Sequence, residues 1–343
     1  NWSSWQQLDR LSHSKDEVLS LSVETPQLEV LVEHRSDEAD GIVSIELVSP
    51  SGDDLPPFTA GSHVDLYLKD KLVRQYSICN DPAERNRYLL GVLREPTSRG
   101  GSEFVHANLW PGRTILISAP RNNFQLKENA ERSILFAGGI GITPILSMAQ
   151  RLSNIGSPFE LHYFCRSASR VAFKEMLAKG GLVKSVHLHL DDGPSSQRFN
   201  FEQDIGGSEP NAHIYVCGPA GFIQFVQSGA ESCAWHEDQI HIELFSAHTI
   251  VENGDTSINV TAARSGVTVD VPVGQSIAAA LIDAGVDVPV SCEQGICRTC
   301  ITDVLEGEPL HRDECLTADE QKSNKVIAIC CSRAKSSSLV LDI

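Results

Sequence analysis

Three cysteines fall within nine residues in the stretch S-C-E-Q-G-I-C-R-T-C, Ser291 to Cys300. Cys292, Cys297 and Cys300 are separated by four and then two residues, and Cys330 follows after twenty-nine more. One loop carrying three thiolates, with a remote fourth, is the spacing that holds a plant-type [2Fe-2S] cluster. Gly295 gives that loop a permissive backbone, so it can wrap tightly and aim N–H groups at the sulfurs. Structural zinc is the competing reading, but zinc sites usually use two short paired knuckles. Cys331 adjoins Cys330 and makes the register of the fourth ligand ambiguous. Cys315 reads as a small buried hydrophobe.

A cluster of this kind moves one electron at a time, so an electron supplier is expected upstream. R-Q-Y-S, Arg74 to Ser77, offers a guanidinium for a phosphate, an aromatic ring and a hydroxyl for a flavin's polar edge. R-G-G-S, Arg99 to Ser102, offers backbone amides that can approach a phosphate, or is a plain glycine turn. G-G-I-G-I-T-P supplies Gly138, Gly139 and Gly141 for a tight strand-to-helix turn, with Thr143 as its expected helix cap and Pro144 in the first turn. It lacks the third glycine of the Rossmann fingerprint, yet leaves a pyrophosphate-sized gap at a helix N-terminus. C-G-P, Cys217 to Pro219, ends another strand, and ordinary turns are the alternative for both motifs. His187 and His189 share one strand face, and His236 and His241 flank E-D-Q-I; both pairs read as ordinary surface or satisfied histidines.

The elements that must position these groups change rhythm along the chain. Residues 1–26 form a polar leader whose Trp2, Trp5, Leu8 and Leu11 fall at threes, fitting one stripe of a short docking helix. From 27 to 127, short alternating runs at 27–33, 42–48, 63–68 and 114–119, broken by turn residues, predict an antiparallel β-barrel or sandwich, of which the barrel is preferred. From 128 to 246, strands at 133–137, 160–165, 186–190 and 213–217 alternate with helices at 143–152, near 171–178 and near 220–230. That alternation predicts an α/β domain with a parallel sheet. Residues 247–256 read as a linker. Residues 257–343 form a third unit, in which a strand pair and a helix at 276–285 precede the cysteines; its expected class is α+β, of the β-grasp kind.

The chain has 343 residues, enough for two or three domains. Its net charge of −17 argues against nucleic acid and anionic membrane as partners, and suits either solubility or a basic docking partner. No run of about eighteen apolar residues and no signal-peptide pattern is visible, so the expected location is cytoplasmic. Six of the ten cysteines lie after residue 290, which favours a metal role over disulfides.

Taken in order, R-Q-Y-S, R-G-G-S, G-G-I-G-I-T-P, C-G-P, E-L-F and C-E-Q-G-I-C-R-T-C resemble the phthalate dioxygenase reductase family, within the ferredoxin-NADP reductase superfamily. The x-S-R-A after Cys330 resembles ferredoxin-domain sequences and favours Cys330 over Cys331. The resemblance covers residues 27–343. It implies FMN in the barrel, NADH in the α/β domain and a [2Fe-2S] cluster held by Cys292, Cys297, Cys300 and Cys330. By the same resemblance, Arg74, Tyr76 and Ser77 contact FMN, while Gly100, Gly101 and Ser102 hold its phosphate. Phe245 stacks on the isoalloxazine, where the nicotinamide must displace it. Gly139, Gly141, Thr143 and Pro144 face the dinucleotide, Cys217 and Gly218 flank the hydride path, and Arg166 and Ser167 lie toward the adenosine. Cys217, Thr143 and Phe245 are the residues expected closest to catalysis. Arg166 and Arg170 leave room for a 2′-phosphate, so the choice of NADH stays an inference.

The implied function is that of a monomeric reductase passing electrons from NADH to a terminal oxygenase with a Rieske centre. Two alternatives stand: the same chain of cofactors serving a haem monooxygenase or a separate ferredoxin, and a zinc-stapled scaffold without redox activity.

Overall fold

The computed structural model describes residues 27–69, 72–95, 100–194, 198–245, 254–290, 295, 298–313 and 315–343. The leader with Trp2 and Trp5, Arg99, and the thiols Cys292 and Cys297 lie outside the described residues.

The first unit is a six-stranded antiparallel sheet built from β1 (Gln27–Ala39), β2 (Ile42–Val48), β3 (His63–Tyr67), β4 (Val73–Ser77), β5 (Arg87–Leu93) and β6 (Thr114–Ser118). Its order is β4-β3-β6-β1-β2-β5, and a bridge between Ile78 and Leu90 joins the two outer strands. Closure removes exposed edges and lets alternate residues such as Val30, Val32, Ile45, Leu47, Leu66 and Ile117 fill one interior. R-G-G-S opens α1 (Gly101–Asn108), a helix the sequence pattern did not reveal. Gly100, which precedes it, sits at φ +88°, a left-handed conformation that favours glycine.

The second unit alternates strands and helices: β7 (Arg132–Gly138), α2 (Ile142–Ile155), β8 (Phe159–Cys165), α3 (Lys174–Leu177), β9 (Val186–Leu190), α4 (Phe201–Asp204), β10 (Ala212–Gly218), α5 (Ala220–Ser232) and β11 (Ile240–Leu244). All five strands are parallel, in the order β11-β10-β7-β8-β9. Burial on both faces explains the continuous apolar runs. Leu135, Ala137, Tyr215 and Cys217 pack on the α2 side, and the intervening Ile134, Phe136, Ile214 and Val216 pack on the α5 side. The helix expected near 171–178 is a single turn, because Phe173 takes φ +56° and breaks it on entry.

The third unit is a mixed five-stranded sheet with order β13-β12-β18-β14-β16. Its elements are β12 (Ile258–Ala262), β13 (Val267–Val271), α6 (Ile277–Asp283), β14 (Ile301–Glu306), β15 (Pro309–Leu310), α7 (Ala318–Ser323), β16 (Val326–Ala328), β17 (Arg333–Ala334) and β18 (Ser338–Leu341), with β15 and β17 paired in a separate two-stranded sheet. The Ser276 hydroxyl caps α6 by accepting from Ala279 N, and Thr317 with Glu320 forms a capping box on α7. The fully buried Arg333 guanidinium donates to the carbonyls of Thr256, Val271, Pro272 and Gln275, which locks the S-R-A segment to the first hairpin. Among the described residues, no helix is long and apolar enough to cross a membrane.

Candidate functional site

The chain runs from β7 outward through β8 and β9, then returns to add β10 and β11 on the other side of β7. Strand order therefore reverses between β7 and β10, and a crevice opens beyond their C-terminal ends. G-G-I-G-I-T-P and C-G-P both sit there, although about eighty residues separate them in sequence. A Cβ on Gly141 would lie 2.1 Å from the Cys217 carbonyl oxygen, and one on Gly138 or Gly218 would lie 2.7 Å from the Phe222 ring. These glycines are there because backbone meets backbone and ring, and the turn stays low at the mouth of the crevice.

Thr143 does not cap α2. The helix begins one residue earlier with Gly141 at its N-cap, and the Thr143 hydroxyl donates to the Ile140 carbonyl at 3.1 Å. Thr143 is 2% exposed, and its methyl group packs on Gly91 of β5, where a Cβ would approach within 2.6 Å. Pro144 is buried in the same turn. The contact ties the glycine turn at the start of α2 to the barrel. The continuation of R-Q-Y-S strengthens it: Ser147 Oγ donates to Asn80 O at 2.9 Å, and Gln150 Nε2 donates to Cys79 O at 2.7 Å.

Cys217 is fully buried, and its Sγ lies 4.0 Å from Oε2 of Glu243, its register partner on β11. Burial raises the Glu243 carboxyl to about 8, and burial with that carboxyl beside it pushes the Cys217 thiol well above its usual range. The pair is therefore a neutral thiol beside a carboxyl that holds its proton near neutral pH. E-L-F was visible in the sequence, but Glu243 was missed because only strand pairing sets it opposite Cys217. Phe245 follows β11, one residue past Leu244, the register partner of Gly218, and is 41% exposed. Arg166 and Ser167 follow β8 at the same end of the sheet, in a separate loop; Ser167 Oγ shares a hydrogen bond with Ser169 Oγ.

On the barrel, the two phosphate-type motifs meet. The Arg74 side chain lies across the start of α1, where a Cβ on Gly101 would fall 2.5 Å from Arg74 Cγ. The Arg74 guanidinium donates to the Val73 carbonyl at 2.8 Å, and a cation beside a glycine-made helix start fits the phosphate end of a flavin. Ser102 is buried and its hydroxyl accepts from Glu95 N. Tyr76 is half-buried against the barrel core, and Ser77 is buried opposite His63. Among the described residues, both ring nitrogens of His63 and the Gln75 amide nitrogen are buried without a hydrogen-bond partner. Burial and Arg121 lower His63 to about 4, so the ring is neutral. Unsatisfied polar groups on the strand pair that carries Ser77 fit a ligand with a polar edge.

In the third unit, Cys300 and Cys330 are each 3% exposed and belong to one buried cluster, with the Cys331 thiol packed against it. Those neighbouring thiols, together with burial, raise Cys330, a penalty that bound cations would reverse. Gly295 takes φ +76°, and a Cβ there would lie 2.5 Å from Cys331 Sγ. Arg298 braces the loop through Glu320 at 2.6 Å and the Cys315 carbonyl at 2.5 Å. The thiol donor set and this crowded glycine fit an iron–sulfur cluster.

Residues 260–335 match the 2Fe-2S iron-sulfur cluster binding domain, and residues 135–228 match the oxidoreductase NAD-binding domain. The vanillate O-demethylase oxidoreductase of Pseudomonas sp. (strain HR199 / DSM 7063) is 46% identical over 316 residues, spanning 92% of this chain and all of that protein. The solved structure of phthalate dioxygenase reductase, described as modular for electron transfer from pyridine nucleotides to [2Fe-2S], superposes with a TM-score of 0.72 at 38% identity. It covers 94% of this chain and 99% of its own. The chain belongs to the phthalate dioxygenase reductase-like family. It is an NAD(P)H-dependent flavin and iron–sulfur oxidoreductase of the oxygenase-reductase kind. An intact type IV self-sufficient cytochrome P450 monooxygenase carries a similar stretch, with TM-score 0.69 and 35% identity, covering 92% of this chain and 41% of that one.

Proposed function

We propose that this oxidoreductase uses NADH and FMN and hands electrons to a separate oxygenase with a Rieske centre. The observation that carries the proposal is the junction of the two upper units. The R-Q-Y-S strand continues into Cys79 and Asn80, whose carbonyls accept hydrogen bonds from α2, so the flavin motif and the dinucleotide turn are tied side by side. When bound, the flavin would take hydride from the nicotinamide and release electrons singly, and the cluster would carry them one at a time.

The chain's own groups bind, orient and shield. Arg74, Gly100, Gly101 and Ser102 would hold the phosphate, with Tyr76 and Ser77 along the ring. FMN is favoured over FAD by the family resemblance, with Arg74 beside the start of α1 as the group that would meet its phosphate. Gly139, Gly141 and Gly218 leave space for the dinucleotide; Thr143 and Pro144 hold that turn in place from inside. The neutral Cys217 thiol and the protonated Glu243 would present an uncharged wall to a bound nicotinamide, and the exposed Phe245 would shield the flavin ring when no nicotinamide is bound. Arg166 and Ser167 would face the adenosine. Asp191 and Asp192 follow β9 beside that end, with Asp191 N bonded to Cys165 O, and their carboxylates disfavour a 2′-phosphate. Cys292, Cys297, Cys300 and Cys330 would ligate the cluster. The proposal also includes domain divisions at 127/128 and across the 247–256 linker, a monomer, and a cytoplasmic location where thiols stay reduced.

The direct test is an anaerobic NADH titration followed by visible absorption, with the flavin then released and identified by chromatography. Bleaching of both flavin and iron–sulfur bands, with FMN released, supports the reading. A colourless protein carrying zinc overturns it. The similarity to the P450 chain supports a second acceptor class, haem monooxygenase. Coupled turnover with a Rieske oxygenase against a P450 separates the two.

A further inference from the structure

Two of the histidines read as ordinary in the sequence, His187 and His189, meet a third, His162, in the structure. His162 is the register partner of His187 across β8 and β9, and Phe164 is the partner of His189. Residues two apart on a strand share a face, so Glu160, His162, His187 and His189 project from the same side of the sheet. We propose that His162, His187 and His189 form a binding site for a divalent transition-metal ion of the zinc type, with Glu160 as the carboxylate that orients His162.

His162 Nδ1 lies 3.1 Å from His189 Nε2. Two imidazole nitrogens on one tetrahedral ion, at bonds of about 2.0–2.1 Å, are separated by about 3.3–3.4 Å. The observed spacing is close to that bite. The other nitrogen, His162 Nε2, lies 3.4 Å from Glu160 Oε2, and Arg132 donates to Glu160 Oε1 at 2.9 and 2.5 Å. An anchored carboxylate keeps the proton on Nε2 and leaves the Nδ1 lone pair facing His189. Carboxylate–histidine–metal sites share this outer-shell arrangement. Phe136 stacks on the buried His162 ring at 5.2 Å and fixes its plane. The His187 ring is 4.9 Å from that of His162, and ligand atoms of Glu160, His162 and His187 lie within 4.8 Å of one another. As the rings stand, His187 stacks face to face on His162 at an interplanar angle of 17°, and its ligand atom groups with Glu160 and His162 and not with His189. Because His187 is exposed, binding would turn its ring so that a nitrogen joins the His162–His189 pair, while solvent supplies a fourth ligand. Three nitrogens suit zinc, nickel(II) or copper(II) over magnesium or calcium. An ion here would clamp the edge strand β9 to β8.

The same line-up also fits an N–H···N hydrogen bond between His162 and His189, and zinc binding distinguishes the two. Holoenzyme of measured iron and flavin content is dialysed to equilibrium against buffered Zn²⁺, and zinc per chain is counted by mass spectrometry. Wild type should hold one zinc more than the His187→Ala/His189→Ala variant, with iron and flavin unchanged in both. Glu160→Gln should weaken zinc binding about 10–100-fold. His187 and His189 lie on the edge strand β9 and Glu160 near the start of β8; all three are exposed or half-buried, and retained iron and flavin report that the variants fold. Equal zinc in wild type and double variant would place the ion on other groups, such as the His213–His241 pair, and overturn the proposal. Wild type that takes up no zinc would overturn it too.

Discussion

The dinucleotide crevice and the cluster loop are built in opposite ways. At the crevice, the decisive residues are glycines, and the site exists because Gly138, Gly141 and Gly218 lack side chains where Cys217 and Phe222 come close. At the cluster, the decisive residues are thiols, two of them buried together, with one glycine making room. A site defined by missing atoms should fail when atoms are added, through the fold around it. A site defined by ligands should fail when one ligand is removed, with the rest of the protein left in place.

The largest effect is expected at the cluster. Cys330→Ser should abolish cluster binding and transfer to one-electron acceptors, while NADH still bleaches the flavin at the wild-type rate. Cys331→Ser should keep full iron content. Iron assays and stopped-flow absorbance on both variants decide the register; a cluster that survives Cys330→Ser and is lost in Cys331→Ser would move the fourth ligand by one residue. At the crevice, Gly141→Ala pushes a methyl to 2.1 Å from a backbone oxygen that cannot rotate away. It should destabilise the protein by about 3 kcal/mol and slow flavin reduction by NADH about 100-fold. Thermal denaturation and single-turnover kinetics measure the two. A variant with wild-type stability and rate would show that the turn is loose.

The contrast also explains what could be read in advance. The cysteine spacing carried its chemistry openly, since ligand type and count are local in sequence. The parallel sheet and most strands of the barrel followed from alternation and from β-branched runs. R-G-G-S could be read as a turn, but its helix could not, because α1 is short and its apolar positions are few. Thr143 looked like a cap because Thr precedes Pro; the chain instead starts the helix at the glycines and turns the hydroxyl back on Ile140. Glu243 and the histidines of β8 and β9 gain their meaning from neighbours on other strands. Strand order and register are tertiary facts, and no single-strand pattern contains them.

Glu243 gives the comparison a pH axis. Its folded value of about 8 lies above the ordinary carboxylate value of 4.5. Between those values the unfolded chain has released a proton that the folded chain keeps, so folding stability should fall as pH rises from about 4.5 to about 8. Glu243→Gln removes this dependence. The difference in melting temperature between variant and wild type should therefore grow in favour of the variant across that window. Parallel curves would mean that the carboxyl is already ionised in the folded protein.

The smallest effect is expected where an added atom meets a flexible neighbour. Gly101→Ala places a methyl 2.5 Å from Arg74 Cγ, but Arg74 is a side chain that can shift. Gly101 is also the first residue of α1, where alanine favours helix by up to about 1 kcal/mol. Stability should hold or rise slightly. Flavin affinity should fall about tenfold, which is about 1.4 kcal/mol, because the guanidinium would leave the proposed phosphate cradle. Flavin release on dilution, read by fluorescence, measures this beside the melting temperature. Loss of affinity without loss of stability would show that the Arg74–Gly101 contact serves the ligand; joint loss would make it a packing contact, with the phosphate held elsewhere on the barrel.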